Sequence, residues 1–365
     1  MKKAKVIAYY LPQYHPTKEN DEWWGPGFTE WTSVAKAKPL YKGHVQPKIP
    51  ADLGFYDLRL AEAREHQAEL ARQAGVDAFC YWHYWFGNGV QLLEKPLQLV
   101  LETGRPDFPF CLGWANHTWR KKIWNSEVSQ LDQTNLMEMK YPGVKDFEDH
   151  FYRMLPAFKD SRYYTINGKL VFLIYVVKEI PQLDVFISKW QELAKGNGLP
   201  PFFFIGHVND EEELNYARKY KFDHFVWENH HTAMGMAENT VTKNRIVTVL
   251  SVLLKKPLRC MEYANFINKL DYKPVSDNND LYPTIYPNWD TSPRRGVGGV
   301  ILKNATPSLF KQHVKSVVEL IKSKPVEDRV IFLKSWNEWG EGNYMEPDLE
   351  FGRKRIDALH DALYE

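Results

Sequence analysis

Short apolar runs alternate along the chain with longer segments whose apolar positions recur on one side. Leu60, Ala63, Arg64, Gln67, Leu70 and Ala71 fall on a single helical face, the spacing of a helix laid against a sheet. Helices are predicted at Leu58–Gln73, Lys95–Glu102, Asp146–Phe158, Leu183–Lys195, Glu211–Tyr220, Pro307–Lys322 and Arg353–Leu363. Strands are predicted between them, at Lys5–Leu11, Ala78–Trp85, Pro109–Ala115, Leu170–Val176, Phe202–Val208, His224–Glu228, Pro283–Pro287 and Val330–Trp336. The long, irregular stretch Val241–Leu270 is expected to hold the helix between strands six and seven. Strands alternating with helices in this way predict an α/β fold. The expectation is a (β/α)8 TIM barrel with extended βα loops, formed as one domain over residues 1–365, rather than a doubly wound sheet.

In such a barrel the active site forms at the C-terminal ends of the strands. The chain is polar and aromatic at each of those positions. Tyr14 and His15 follow strand one, and His83, Tyr84 and Trp85 close strand two. Asn116, His117 and Trp119 follow strand three, and Tyr175, His207 and Glu228 end strands four, five and six. Trp289 and Asp290 follow strand seven; Trp336, Asn337, Glu338 and Glu341 follow strand eight. An isolated His83 is best explained as a hydrogen-bonded core histidine. Eight strand ends of one character point to a binding cleft, with Tyr14, His83, Asn116, His207, Glu228, Asp290 and Glu338 facing one opening. Trp23, Trp24, Trp31, Trp85 and Trp119 are expected to line or roof it, and Asn20–Pro47 reads as a substrate-binding loop, being long for a βα turn.

Composition narrows the class. Aromatic residues make up 15% of the chain, with 13 Trp and 20 Tyr, more than a core alone requires. The 47 basic and 46 acidic residues nearly cancel. That leaves no electrostatic case for nucleic acid or an anionic membrane. Arg120-Lys121-Lys122 and Lys255-Lys256 read as solvated faces, the first with contact to an acidic sugar as its alternative. Three cysteines without ligand spacing read as free thiols. The first residues lack the apolar core of a signal peptide, and no apolar run reaches the roughly 20 residues of a membrane span. A cytoplasmic protein without membrane insertion is expected, or a periplasmic or secreted one if a leader has been removed. The acids of Asn209–Glu213 suit a helix start better than a cation site. Glu228, His230 and His231 lack zinc-site spacing, so no metal is expected. No phosphate-cradling glycine loop is present to suggest a nucleotide.

The segment Lys334-Ser335-Trp336-Asn337-Glu338-Trp339-Gly340-Glu341-Gly342 carries the sharpest chemistry. Its two glutamates stand three residues apart, on one side of a helical turn and about 5–7 Å from each other at the barrel's centre. Carboxylate pairs do acid and base work when their environments separate their pKa values, and indole faces pack on the C–H faces of sugars. Glycosidic-bond chemistry is the functional reading. A capped turn with both carboxylates solvated is the plain one.

Several motifs, in order, resemble the WbsX family. They are Ala8–Pro16, Asn20–Gly25, Gly27–Trp31, Pro50–Gly54, Phe79–Phe86, Leu93–Leu97, Pro106–Phe110, Trp289–Arg294, Trp336–Gly342 and Glu346–Asp348. That family is labelled a glycosyltransferase of surface-polysaccharide clusters. It is similar in fold and C-terminal Glu motif to glycoside hydrolase family 99, retaining endo-α-mannosidases on a (β/α)8 barrel. The resemblance implies that Glu338 assists a sugar 2-hydroxyl in attacking C1, giving a 1,2-anhydro intermediate. Glu341 then protonates the leaving oxygen and later activates water or another acceptor, with its pKa raised by Trp336 or Trp339 and by the neighbouring charge. It implies an oligosaccharide or polysaccharide substrate of mannose type and no cofactor. After Trp114-Ala115-Asn116 the family pattern continues with an acid, whereas this chain has His117, which bears on substrate binding there. Two further readings stand beside the hydrolase or transglycosylase: a sugar-nucleotide glycosyltransferase of O-antigen or capsule assembly, and a carbohydrate-binding protein without chemistry.

Overall fold

The computed structural model describes residues 1–121, 134–235 and 241–365. Eight parallel strands form the barrel: β1 (Lys5–Tyr10), β2 (Ala78–Trp85), β3 (Phe110–Trp114), β4 (Lys169–Ile174), β5 (Phe202–Val208), β6 (His224–Trp227), β7 (Leu281–Ile285) and β8 (Val330–Leu333). Each pairs with its sequence neighbours, and β1 pairs with both β2 and β8, so the sheet closes. The main helices outside it are α1 (Ala61–Ala74), α2 (Lys95–Thr103), α3 (Val144–Phe158), α4 (Leu183–Gly196), α5 (Glu211–Ala217), α6 (Val241–Leu254), α7 (Pro307–Ile321) and α8 (Lys354–Tyr364). The chain is a (β/α)8 barrel.

Successive side chains of a strand point to opposite faces, and both faces here are buried. Tyr9 of β1 stacks on Trp82 of β2 at 4.6 Å and meets Phe332 of β8 at 5.5 Å. Gly113 of β3 makes room for that ring, since a Cβ there would sit 3.2 Å from the Trp82 ring and 3.0 Å from Cys80 Sγ. On the other face Phe172 packs on Trp190 of α4 at 4.6 Å, and Trp114 on Phe186 at 5.4 Å. Cys80 and Cys111 are buried free thiols.

The predicted helices differ from these by a few residues at their ends. β7 begins two residues before its predicted start, because Leu281 and Tyr282 are fully buried and pair with Phe225 and Val226. The stretch Val241–Leu270 holds α6, a second helix at Tyr263–Lys269, and a short strand Arg259–Glu262 paired with Val300–Lys303 outside the barrel. Asn20–Pro47 includes parts or all of two helices, Lys18–Trp24 and Glu30–Lys36. Asp210 caps α5 by accepting from Glu213 N at 2.9 Å, and Glu213 accepts from Asn209 N at 2.9 Å; the acids of that run serve the helix start. No helix among the described residues is long and apolar enough to cross a membrane.

Candidate active site

Past Leu333 the chain turns across the C-terminal mouth of the barrel. Asn337–Glu338 pairs antiparallel with Asn343–Tyr344, and Trp339–Glu341 makes a 3-10 turn. Polar side chains pin that turn from beneath. Asn337 accepts from Leu11 N at 2.7 Å and donates to Leu11 O at 3.0 Å. The Tyr14 hydroxyl donates to Asn337 O and accepts from Trp339 N at 3.1 Å. Behind it, Trp339 Nε1, Tyr56 and Gln67 all donate to the buried Glu346 carboxyl. Burial pushes Glu346 up to about 7, although these donors pull the other way.

The turn presents Glu338 and Glu341 to one guanidinium nitrogen. Arg294 Nη1 lies 2.6 Å from Glu341 Oε1 and 3.3 Å from Glu338 Oε1, and Ser335 Oγ donates to Glu338 Oε2 at 3.2 Å. Arg294 Nε donates to Glu30 Oε1 at 2.8 Å. Glu30 is fully buried, whereas the catalytic candidates keep 12% and 18% of their side chains open. Gly340 is required by this crowding, since a Cβ would overlap Glu30 Oε1 and sit 2.8 Å from Arg294 Nε.

The two carboxyls are pushed apart. Burial first, and Glu341 second, raise Glu338 to about 7 against the pull of Arg294 and Lys334. Burial raises Glu341 too, but Arg294, Arg295, Lys334 and His231 outweigh it and hold it below the usual carboxylate range. In the free site the proton therefore rests on Glu338. The resemblance led us to expect the raised pKa on Glu341, and the structure reverses that. Glu341 takes the shorter arginine contact and feels a second arginine. Trp336 is fully buried beside Phe79 at 5.6 Å, and Trp339 stacks on Tyr344 at 3.8 Å.

A second charged cluster lines the mouth. Lys334 Nζ donates to Glu228 Oε2 at 2.6 Å, with His207 Nε2 at 3.1 Å and His230 Nδ1 at 3.7 Å from the same oxygen. Burial alone would raise Glu228, but Lys334, His207 and His230 hold it well below the usual range. Tyr175 lies 4.5 Å from the His207 ring and 5.7 Å from Lys334 Nζ. Lys334 thus ties Glu228 to the strand that carries the glutamate pair. Among the described residues no group of three or more His, Cys, Asp or Glu is placed to hold a metal ion.

The expected residues separate into those near the pair and those that brace the fold. Tyr84 feels the charge of Glu338 and packs on Trp119 at 5.0 Å. His117 is half-buried, lies 5.7 Å from Tyr175, and is pushed down to about 4 by burial. Trp289 packs tilted against the His230 ring at 4.5 Å and lies 5.6 Å from Lys334 Nζ.

His83 and Trp85 do not face the opening. One strand face serves Trp82 and Tyr84, so its alternate residues meet the helices: His83 sits 2.7 Å from His150 of α3, and Trp85 donates to Asp146. His15 is buried near Asp57 and Arg59, and burial lowers it to about 4. Asn116 is spent on Val176 and Tyr141. Asp290 accepts from Gln46 at 2.7 Å and Ser292 N at 2.9 Å and sits 2.9 Å from His44 Nε2, tying the early loop to the segment bearing Arg294. Tyr14 and Asn337 hold the turn. Trp31 donates to Tyr56 O and packs on Trp339.

Of the five tryptophans expected at the cleft, Trp31, Trp85 and Trp119 are buried and Trp23 and Trp24 half-exposed. Of the run Arg120-Lys121-Lys122, Lys122 lies outside the described residues. Arg294, Glu30 and Lys334 were not expected as site residues, although each lies in a segment singled out by its sequence.

The family described as Glycosyltransferase WbsX matches residues 6–359. Two Xanthomonas campestris pv. campestris proteins named WxcX, from strains ATCC 33913 and B100, are each 32% identical over 365 residues, covering 99% of this chain and 50% of their own length. The chain thus spans about half the length of these relatives. Among solved structures, a glycoside hydrolase-like protein superposes with TM-score 0.65 at 14% identity, covering 100% of this chain and 94% of its own. The GH99 endo-alpha-mannosidase from Bacteroides thetaiotaomicron superposes with TM-score 0.53 at 15% identity, covering 98% and 95%. These likenesses concern the fold. By its match over nearly all of its length, the chain belongs to the carbohydrate-active family described as Glycosyltransferase WbsX.

Proposed function

We propose that this chain cleaves or transfers a glycosidic bond with retention, on an oligosaccharide or polysaccharide of mannose type, with Glu338 and Glu341 as the catalytic pair. One observation carries the reading: two carboxyls on a single Arg294 nitrogen at the barrel mouth, one raised to about 7 and the other lowered. Such a pair holds one proton as pH falls below about 7, the state that acid–base chemistry at an acetal needs. A sugar whose 2-hydroxyl reaches one carboxyl and whose leaving oxygen reaches the other would be opened through a 1,2-anhydro intermediate. The fold's likeness to the GH99 endo-alpha-mannosidase supports this choice of substrate.

The implied order of roles, Glu338 on the hydroxyl and Glu341 on the leaving oxygen, starts from a site whose resting proton is on the other carboxyl. Glu338→Gln and Glu341→Gln should each lose about 10²–10⁴-fold in kcat while still binding saccharide. Their losses should not add, because both act on one intermediate. A glycosyl fluoride, whose leaving group needs no proton, decides the order. Rescue of Glu341→Gln alone supports the implied roles; rescue of Glu338→Gln alone reverses them and matches the resting charges. Near-wild-type turnover in either variant would move the chemistry away from the pair.

The family's description favours a second reading, glycosyl transfer rather than hydrolysis. Incubating the chain with a sugar nucleotide and, separately, with a preformed oligosaccharide distinguishes the two by which one is consumed.

A further inference from the structure

Along α6 and the turn after it, Ile246, Val249, Leu250, Leu253, Leu254 and Leu258 are all exposed, Leu253 at 72%. A helix on a protein surface ordinarily turns a polar face to water. Here, among the helix residues whose side chains are described, the polar Ser251 is the buried one, its hydroxyl donating to Val247 O. Single exposed apolar side chains are common, but a contiguous row of them marks a contact surface.

The charge of this stretch is as one-sided as its hydropathy. From Asn239 to Met261 there is no Asp or Glu, while Lys243, Arg245, Lys255, Lys256 and Arg259 all fall within it, in a chain whose charges otherwise nearly cancel. Lys255 and Lys256 are exposed directly after the apolar row. Apolar side chains bordered by cations are the composition of a helix lying in a bilayer interface. At 14 residues α6 is about 21 Å long, too short to cross the roughly 30 Å hydrocarbon core. Its length therefore suits lying along a bilayer surface and not spanning one. Its place in the fold matters as well. The helix follows β6, on the C-terminal side of the barrel, and packs on the Gly296–Gly298 turn just after Arg294.

We propose that α6 docks on an anionic lipid bilayer and seats the mouth of the barrel against it. A second copy of the chain would be a poorer occupant. Pairing α6 with itself would bring two cationic stretches together with no acid in either to neutralise them.

Flotation of the purified chain with phosphatidylglycerol vesicles tests this and needs no turnover, so its outcome is separate from that of the catalytic reading. The chain should float with phosphatidylglycerol, be released by salt, and bind phosphatidylcholine at least about tenfold more weakly. The double variant Leu253→Glu, Leu254→Glu alters only exposed positions and should keep its thermal midpoint while losing flotation. Lys255→Glu with Lys256→Glu should weaken binding to phosphatidylglycerol by about tenfold or more and leave the weak binding to phosphatidylcholine unchanged. A folded chain that stays unbound with phosphatidylglycerol overturns the proposal. So does a concentration-dependent dimer that the leucine variant dissolves, which would assign the helix to a second copy.

Discussion

Arg294 faces three carboxyls with one guanidinium: Glu30 through Nε, and Glu338 and Glu341 through Nη1. Glu338 and Glu341 crowd the same Arg294 nitrogen in a buried site, and the least costly relief of two carboxylates held so close is a proton shared by the pair. The charges around the site put it on Glu338, with Glu341 left ionised beside Arg294 and Arg295. The sign for activity follows. As pH rises through about 7, Glu338 loses that proton and kcat/KM should fall. On the acid side the fall should come only below 4.5, where Glu341 takes up a proton. In Glu338→Gln the residual activity should lose its decline near pH 7; a decline that persists would belong to another group, Glu346 first, since burial brings it also to about 7. The carboxyl pair was legible in the sequence because its members are three residues apart. Arg294 and Glu30 were not, because what gives them meaning is a contact between residues 264 positions apart.

The turn after β8 works as an element because it is clamped from two sides. Tyr14 and Asn337 tie it to the end of β1, and Glu346 collects donors from Trp339, Tyr56 and Gln67 behind it. Its top carries Gly340, against which Glu30 and Arg294 close. Gly340→Ala should therefore act like a catalytic lesion: its methyl group must displace the Glu30 carboxyl and with it Arg294. Turnover should drop at least about tenfold and the thermal midpoint should fall by only a few degrees, as overpacking beside the buried Glu30 costs about 1–3 kcal/mol. Unchanged kinetics would show that the Glu30–Arg294 contact does not position the pair. Strands and helices were readable at this scale because hydrophobic period reports burial. The facing of His83 and Trp85 was missed for the same reason: both faces of a barrel strand are buried, so no polar–apolar alternation marks which residues look inward. The exposed row on α6 was missed differently. The sequence predicts only a helix somewhere in the irregular stretch Val241–Leu270, and the fold reveals that these apolar side chains are exposed among the described residues.

Across the whole molecule, the barrel is closed by pieces from the two ends of the sequence. β1 pairs with β8 in register from Lys5 with Val330 to Ala8 with Leu333, and Lys3 N donates to Leu363 O. α8 packs against both α1 and α7, burying Ile356, Leu359 and Leu363 almost completely, while Arg355 donates to Asp348 at 3.0 Å. We propose that residues 1–365 unfold as one cooperative unit. Trp fluorescence and far-UV circular dichroism should report the same single denaturant transition. The last helix supplies the stricter test. Each of its three buried aliphatic side chains contributes about 1.5–3 kcal/mol, so their loss removes a large share of a net stability of about 5–15 kcal/mol. Truncation after Gly352 should thus abolish the cooperative transition, even though no residue of the glutamate turn is touched. A truncated chain that still unfolds in one sharp step near the wild-type midpoint would mean that the barrel closes without α8, and that the final helix serves something other than the fold.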